Sequence, residues 1–292
     1  MRSQVSSVAD AAATRAGTAA AVAAERAGVD IRELDTALAA KHAAELLSRI
    51  WLAPPESAPV SSDLLWALRH VGNYVVGAYA GGRLVGVSVA FFTGDRQRQL
   101  HSHISGVAPG LQGRGVGYAL KLHQRSWALW HGVEHVSWTV DPLVRRNVFF
   151  NLAKLAAEVV AYLPDFYGAM ADGLNAHDHS DRLSLEWSLT DERVVAACEG
   201  TPAILDPATL PPGSLLLDVG PTGAPVVGDA DAAVLVCRLP ADILAIRATD
   251  PALARAWRLA LRDTLGDALR DGCHVVGVTR DGCYLLRREP AS

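Results

Sequence analysis

The period of hydrophobic and polar positions changes several times along the 292-residue chain, and each change marks an element. Residues 9–28 are alanine-rich and read as a helix closed by Gly28, a residue that readily takes the left-handed turn at a helix end. Val29-Asp-Ile-Arg-Glu-Leu34 alternates as a short strand. Between 35 and 51, Leu38, Leu46, Leu47 and Ile50 recur at helical spacing. Pro54, Pro55 and Pro59 then make a loop, and Ser61-Ser-Asp63 caps a short helix through Leu68. Two apolar runs, Tyr74–Tyr79 and Leu84–Phe92, flank Ala80-Gly81-Gly82-Arg83, the signature of a β-hairpin. Gln99–Val107 is a third strand, ending at Ala108-Pro109-Gly110. A helix follows from about Gly115 to Trp130, with Val116, Ala119, Leu120, Trp127 and Trp130 as its buried stripe. His135–Val140, Glu158–Leu163 and Leu183–Leu189 read as strands and Asn147–Ala156 as a helix.

The resulting order, α-β-α-α-β-β-β-α-β-α-β-β, predicts an α/β fold: one mixed central sheet flanked by helices. The stretch 198–232 changes character. Pro202, Pro207, Pro211 and Pro212, then Gly213, Gly220, Gly223 and Gly228, read as turns and short strands. Ala232–Leu239 is apolar, Pro251–Arg270 is an amphipathic helix, and His274–Val278 with Tyr284–Arg287 closes the chain as a strand pair. The expected organisation is an N-terminal helix over 1–28, a main α/β domain over 29–190 and an additional C-terminal α+β region over 191–292.

Half of the residues are hydrophobic, ample for a buried core. The net charge of −4, with both signs dispersed, gives no basic block for nucleic acid and no acidic tail. Asp10, Arg15, Glu25 and Arg26 interrupt the N-terminal alanines, so they do not read as a signal peptide. No apolar run of about 18 residues suggests a membrane span. Cys198, Cys237, Cys273 and Cys283 lack CxxC or zinc-finger spacing and read as buried free thiols. A cytoplasmic protein with no nucleic-acid or membrane partner is expected.

The chemistry concentrates in Val107-Ala-Pro-Gly-Leu-Gln-Gly-Arg-Gly-Val-Gly-Tyr118, a strand end, a glycine-rich turn and a helix start. Glycines bring backbone N–H groups close to an anion, the helix N-terminus adds its own N–H groups and dipole, and Arg114 adds a charge. A P-loop would need Gly-Lys-Ser/Thr, which is missing, and Gly113, Gly115 and Gly117 do not have the GxGxxG spacing of a dinucleotide fold. A glycine turn that binds nothing is the remaining alternative. The pattern Gln/Arg-x-x-Gly-x-Gly/Ala is matched at every fixed position by Gln112, Gly115 and Gly117, and it resembles the acyl-CoA pyrophosphate loop of the GNAT superfamily of N-acyltransferases. The resemblance spans about 29–190. It is nearer to a subgroup of predicted acetyltransferases with a long C-terminal extension, through Leu100-His-Ser-His103, Trp138-Thr-Val-Asp-Pro-Leu143, Asn147, Phe150-Asn-Leu-Ala-Lys-Leu155, Asp165-Phe-Tyr-Gly168, Asn175, Ser180-Asp-Arg182 and Trp187. It continues at Leu239-Pro-Ala-Asp242 and from Ala256-Trp-Arg258 to Arg262.

The resemblance implies a GNAT-type sheet, acyl-CoA as co-substrate with acetyl or succinyl as the acyl group, and a small amine such as an amino acid as acceptor. It implies that Ile104, Ser105 and Val107 lie on the strand that binds the pantetheine arm, and that Gln112, Gly113, Arg114, Gly115, Val116 and Gly117 hold the pyrophosphate. An amine attacks a thioester only when neutral, so a base is needed, and the departing thiolate takes up a proton. His101 and His103 are two apart on a strand and share a face, as base candidates or as an inert structural pair. No third ligand accompanies them, so no metal site is expected. Asp141 is a candidate base or anchor for the substrate ammonium, or simply starts a turn. Many relatives carry an acidic tyrosine where this chain has Leu152, leaving Tyr167, with Tyr162 second, as the substitute. Asn147 and Asn151, one helical turn apart, are candidates to bond pantetheine. Trp138, Arg258 and Arg262 are candidate substrate-binding residues, the two arginines through a carboxylate. With no cysteine placed as nucleophile, direct attack in a ternary complex is expected. The alternative is a non-catalytic acyl-CoA-binding or scaffold module. The 191–292 region has two candidate uses, covering the acceptor site or forming a homodimer contact.

Overall fold

A computed structural model describes residues 2–54, 58–94, 99–168, 170, 173, 178–206, 208, 214–229 and 232–288, with residues 2–9 as backbone alone. Of the residues named above, Pro55, Asn175, Pro207, Pro211, Pro212 and Gly213 lie outside these. The chain forms two compact units, Met1–Trp138 with Ala171–Leu174 and Ser188–Asp191, and Thr139–Met170 with Asn175–Trp187 and Glu192–Ser292.

The first unit begins with α1 (Arg2–Ala27), β1 (Asp30–Glu33), α2 (Ala37–Trp51) and α3 (Ser62–His70). The end of α1 follows from Gly28: its φ is 64°, its N–H donates to Glu25 O, and Val29 N–H reaches back to Ala24 O, both at 3.0 Å. Thr36 and Ser61 cap α2 and α3 through their hydroxyls. The sheet follows as β2 (Tyr74–Ala80), β3 (Arg83–Phe92), β4 (Leu100–Val107) and β5 (His135–Val140), with α4 (Val116–Trp130) between the last two. Neighbours run in the order β1-β2-β3-β4-β5, antiparallel except for β4 beside β5.

Alternation along β3 assigns the two faces. Val87 and Val89 join Leu34, Leu46, Leu47 and Leu65 in a core under α2 and α3, whereas Gly86 faces Leu120 and Val116 of α4. α4 buries Val116, Ala119 and Leu120 of the expected stripe but not its two tryptophans. Trp130 is 58% exposed and Trp127 half-buried, stacked on His131 at 3.7 Å. Instead the helix buries Lys121, Gln124, Arg125 and Ser126. Lys121 is buried against Ser102 and Trp138 of the sheet and Arg125 against Leu189 O, while α1 packs along α4 with buried Ala13, Ala16, Ala20 and Ala23 and with Gly17 against Ser126. Small residues at this spacing let two helix backbones approach closely.

In the second unit, α5 (Arg145–Val148) runs into a π-helical turn, Phe149–Lys154, where a plain helix was expected. β6 (Glu158–Leu163) and β7 (Arg182–Ser188) pair antiparallel. Then come α6 (Glu192–Cys198), β8 (Leu215–Val219), β9 (Pro225–Val227), β10 (Val234–Arg238), α7 (Ile243–Thr249), α8 (Pro251–Leu261), a π-helical turn Arg262–Gly266, α9 (Asp267–Arg270), β11 (Cys273–Val278) and β12 (Cys283–Arg288). β8 to β12 form a sheet in the order β11-β12-β10-β8-β9, so the C-terminal region is α+β as expected. The helices α6 and α7 were not anticipated. The helix expected over 251–270 is interrupted by the π turn, where Gly266 lies against the Tyr162 ring and a Cβ would approach it to 3.3 Å.

Candidate active site

The glycine turn is built to leave α4 open at its start. Gly110, Gly113 and Gly115 have φ of 80°, 79° and 88°, values that penalise any side chain. Gly115 is the N-cap and gives α4 no side-chain cap, so the N–H groups of the first turn have no intrahelical acceptor. Gln112 is committed to the turn itself: its Oε1 accepts from Gly110 N at 2.9 Å and its Nε2 donates to Val107 O at 3.3 Å. Its role is thus to shape the loop. Gly113, Arg114 and Gly115 are exposed, Val116 is buried beneath them, and Gly117 lies over Val107. Outward N–H groups, a helix dipole and one arginine make a receptor for a phosphate dianion.

The strand leading to this turn separates from its neighbour. Along β4 and β5 the register pairs Leu100 with Val136 and His101 with Ser137, and β4 then runs six residues further. Its other edge stays paired with β3, through a bulge at His103 that sets Val89 opposite Ile104 and Ala90 opposite Ser102. A fork of this kind leaves backbone groups of β4, Ile104 and Ser105 among them, facing an open edge where an extended amide-bearing chain can pair. Ser105 Oγ is 2.7 Å from Ser88 Oγ.

His101 and His103 share a face, as expected, with ring centroids 6.4 Å apart and both against Phe91. His101 Nδ1 is 3.2 Å from Ser137 Oγ. Burial lowers both imidazoles below the ordinary histidine value, and for His101 the charges of His103 and Lys121 lower it further. Both are therefore neutral at pH 7, the state a base requires. On the α4 side of the same fork stands Lys121. Its Nζ donates to Ser102 Oγ and to Gln124 Oε1, each at 3.0 Å, and lies 3.7 Å from the centroid of the Trp138 ring. Burial pushes its pKa down to about 7.

The remaining candidates lie in the second unit, and several have other duties. Asp141 accepts from Arg258 Nη1 and Nη2, both at 3.0 Å, from Arg247 Nη2 at 2.6 Å and from Leu143 N at 2.9 Å. Burial alone would raise its pKa, but Arg258 and Arg247 override that and hold it far below the carboxylate range. A carboxylate so held is a poor proton acceptor and offers no free charge to a substrate ammonium, which corrects both functional expectations for Asp141. Arg258 is 0% exposed and also donates to Asp178, and Arg262 donates to Asp181 at 2.6 and 3.0 Å. Both arginines bind carboxylates of the protein itself, where a substrate carboxylate was expected. Tyr162 donates to Asp181 at 2.7 Å, and burial, then Asp181, raise its pKa, which removes it as an acid. Tyr167 is 43% exposed on the turn Asp165–Gly168, its hydroxyl 3.2 Å from Thr139 Oγ1 and the Arg182 guanidinium 5.3 Å from its ring centroid. Asn147 is exposed, and Asn151, buried, donates to Asn147 O at 2.7 Å, which stitches the start of the π turn.

Residues 40–150 match the sequence profile of the acetyltransferase (GNAT) family. This segment is a GNAT acetyltransferase domain. It contains the fork, the glycine turn and all of α4. Solved structures similar to the chain include an N-acetyltransferase from Staphylococcus aureus (12% identity, 56% of this chain and 99% of that one, TM-score 0.46) and the ribosomal-protein-S18-alanine N-acetyltransferase of Escherichia coli (15%, 56% and 95%, 0.45). An aminoglycoside 6'-N-acetyltransferase complexed with coenzyme A is another (15%, 56% and 98%, 0.43). The comparison with curated proteins gives no match.

Over residues 40–150, reading the sequence singled out the glycine turn and the histidine pair but not the buried Lys121. A lone lysine on a helix reads as a solvated side chain, and the groups that bury its amine, Ser102 and Trp138, lie on strands 19 and 17 positions away. Asp178 and Arg247 were missed as well, since nothing local ties them to Asp141, 37 and 106 positions away. Among the described residues no group of three metal-binding side chains occurs, and no helix is long and apolar enough to cross a membrane.

Proposed function

We propose that this protein transfers an acyl group from acyl-CoA to the neutral nitrogen of a small amine by direct attack in a ternary complex. The observation that carries the reading is the uncapped start of α4 at the end of a strand that leaves its partner after two residue pairs. Pyrophosphate on the N–H groups around Gly113 to Gly117 and a pantetheine arm along β4 from Val107 towards Ile104 would bring a thioester to the vertex of the fork. Acetyl is the simplest acyl group, succinyl the second to test, and an amino acid a fitting acceptor. Residues 29–190 would form the acyl-CoA-binding catalytic region, with 191–292 as its extension.

In this reading one of the neutral histidines, His101 or His103, takes the proton from the attacking amine, and backbone N–H groups of β4 near the bulge stabilise the oxyanion. A covalent acyl-cysteine is disfavoured: all four thiols are buried, and burial pushes that of Cys237 up to about 12. Thiol release over a panel of acyl-CoAs and amines tests the proposal, and turnover with at least one pair is expected. Binding of CoA without turnover for any pair would favour the acyl-CoA-binding module instead. Failure of CoA to protect residues 107–118 from hydrogen exchange would overturn both.

A further inference from the structure

Lys121 occupies a position for which burying an amine needs a reason. The last residue pair between β4 and β5 is His101 with Ser137. The next residue on each strand is Ser102 and Trp138, and these are the two that Lys121 Nζ meets, at 3.0 Å and at 3.7 Å from the ring centroid. The amine thus sits at the vertex of the fork, on the α4 side. One turn on, Gln124 is completely buried; its Oε1 accepts from Lys121, while its Nε2 has no acceptor among the described residues. A buried amide donor without an acceptor costs about 1–3 kcal/mol. Lysine, serine, glutamine and an indole face thus form a buried polar cluster between α4 and the sheet.

We propose that Lys121 receives the leaving group of the acyl transfer, its Nζ donating the proton to the coenzyme A sulfur as the C–S bond breaks. The inference rests on the acyl-CoA reading above, because it needs the thioester at the vertex. The acceptor nitrogen forms the new N–C bond, and the C–S pair passes to sulfur. The ammonium of Lys121 supplies the thiol proton, and the proton lost by the acceptor nitrogen goes to the histidine base across the sheet. Return of that proton through solvent and the Ser102 hydroxyl restores the starting state, so the balance is acyl-CoA plus amine to amide plus free thiol. With a pKa near 7 the amine gives up its proton readily at neutral pH, a tuning that matches an acid to its working range. Among the described residues, His101 on β4 is the titratable group coupled to it; Ser102 on β4, Gln124 on α4 and Trp138 on β5 are its uncharged neighbours.

The test needs no acceptor. Free coenzyme A is bound to the whole protein and its thiol titrated by thiolate absorbance in the ultraviolet. An ammonium at the sulfur makes the bound thiol at least about tenfold more acidic than free coenzyme A in the wild type, and Lys121→Met, which keeps the side-chain length, abolishes the gain. A bound thiol no more acidic than free coenzyme A in the wild type overturns the proposal without any variant, and so does an unaltered titration in Lys121→Met. Absence of coenzyme A binding to the wild type would instead sink the acyl-CoA reading itself. With an acyl-CoA and amine pair that turns over, Lys121→Met lowers kcat about 100-fold and leaves KM for acyl-CoA little changed. That deficit shrinks with an acyl-pantetheine analogue whose thiol is acidified by fluorine, since a better leaving group needs no acid. An equal deficit with both thioesters would assign Lys121 a structural role.

Discussion

Arg258 meets Asp141 with both terminal nitrogens, Nη1 to Oδ1 and Nη2 to Oδ2, each at 3.0 Å. The two residues are 117 positions apart, and the guanidinium is wholly buried. Arg247 and Asp178 complete a ring of two arginines and two aspartates, and Tyr284 donates to Pro142 O beside it at 2.8 Å. The segment after β5 is thereby tied to α7, α8 and β12 within the second unit. Planar, bidentate pairing suits arginine, and several mutual partners satisfy charges that would be costly to bury alone.

Removing one member leaves the rest uncompensated. Arg258→Met should therefore destabilise the protein by about 3–5 kcal/mol in urea unfolding, with Asp141→Asn close behind. CoA affinity of the fraction that remains folded should hold. A fully stable Asp141→Asn variant that lost turnover would restore Asp141 as a base and refute its structural assignment.

The ring, together with the Arg262–Asp181 pair, sets an acid limit. Asp141 and Asp181 have pKa values below the ordinary carboxylate range, because their arginine partners outweigh burial. Between the folded value and about 3.9 the unfolded chain binds more protons, so stability falls as pH falls there. The contribution is complete above about pH 5 and is lost as pH drops through the folded pKa. Unfolding free energies from pH 7 to 3 should decline in the wild type and decline less in Asp141→Asn.

The arginines show what a sequence can and cannot display. Helical spacing of Arg258 and Arg262 signals carboxylate recognition, and carboxylates are what they bind, but the partners Asp141, Asp178 and Asp181 come from distant loops. Chemistry is local and pairing is not. The glycine turn was legible because its shape resides in nearby residues whose backbone angles only glycine adopts easily. The buried stripe of α4 was read correctly at Val116, Ala119 and Leu120 and wrongly at Trp127 and Trp130. Tryptophan dominates any apolar pattern, yet the helix buries Lys121 and Gln124 beside the sheet in their place.

The neutral histidines lead to a kinetic expectation. If one is the base, His101→Gln or His103→Gln lowers kcat/KM about 10²–10⁴-fold and the other variant much less. Because both pKa values are lowered, the acid limb of the wild-type profile lies below about pH 6.5. Full activity in both variants would leave the pair with a packing role against Phe91.

Lys121 also makes stability depend on pH in the alkaline range. Its folded pKa of about 7 lies far below the value of about 10.4 in an unfolded chain. Between these limits the unfolded state binds more protons, so stability rises with pH and the penalty of a buried charge is full below about pH 7. Lys121→Met should be more stable than the wild type at pH 6, and the gap should close towards pH 10. A gap independent of pH would mean that the amine is not desolvated.

The anion site at α4 can be separated from backbone strain with two glycines of like conformation. Gly110 and Gly115 have φ of 80° and 88°, and a Cβ at Gly110 would meet nothing within 4 Å, while at Gly115 it would only touch Ala27 at 3.6 Å. Alanine at either position carries a similar conformational cost, about 1–2 kcal/mol, so the two variants should lose similar thermal stability. They differ in place: Gly115 caps α4, where the first-turn N–H groups converge, and Gly110 lies five residues earlier in the turn. Gly115→Ala should weaken CoA binding at least tenfold, about 1.4 kcal/mol, by moving those N–H groups and crowding the phosphate, whereas Gly110→Ala should bind CoA nearly as the wild type does. Titration calorimetry on both variants decides the matter. Equal losses of affinity would attribute the effect to a disordered turn and remove the start of α4 as the pyrophosphate receptor.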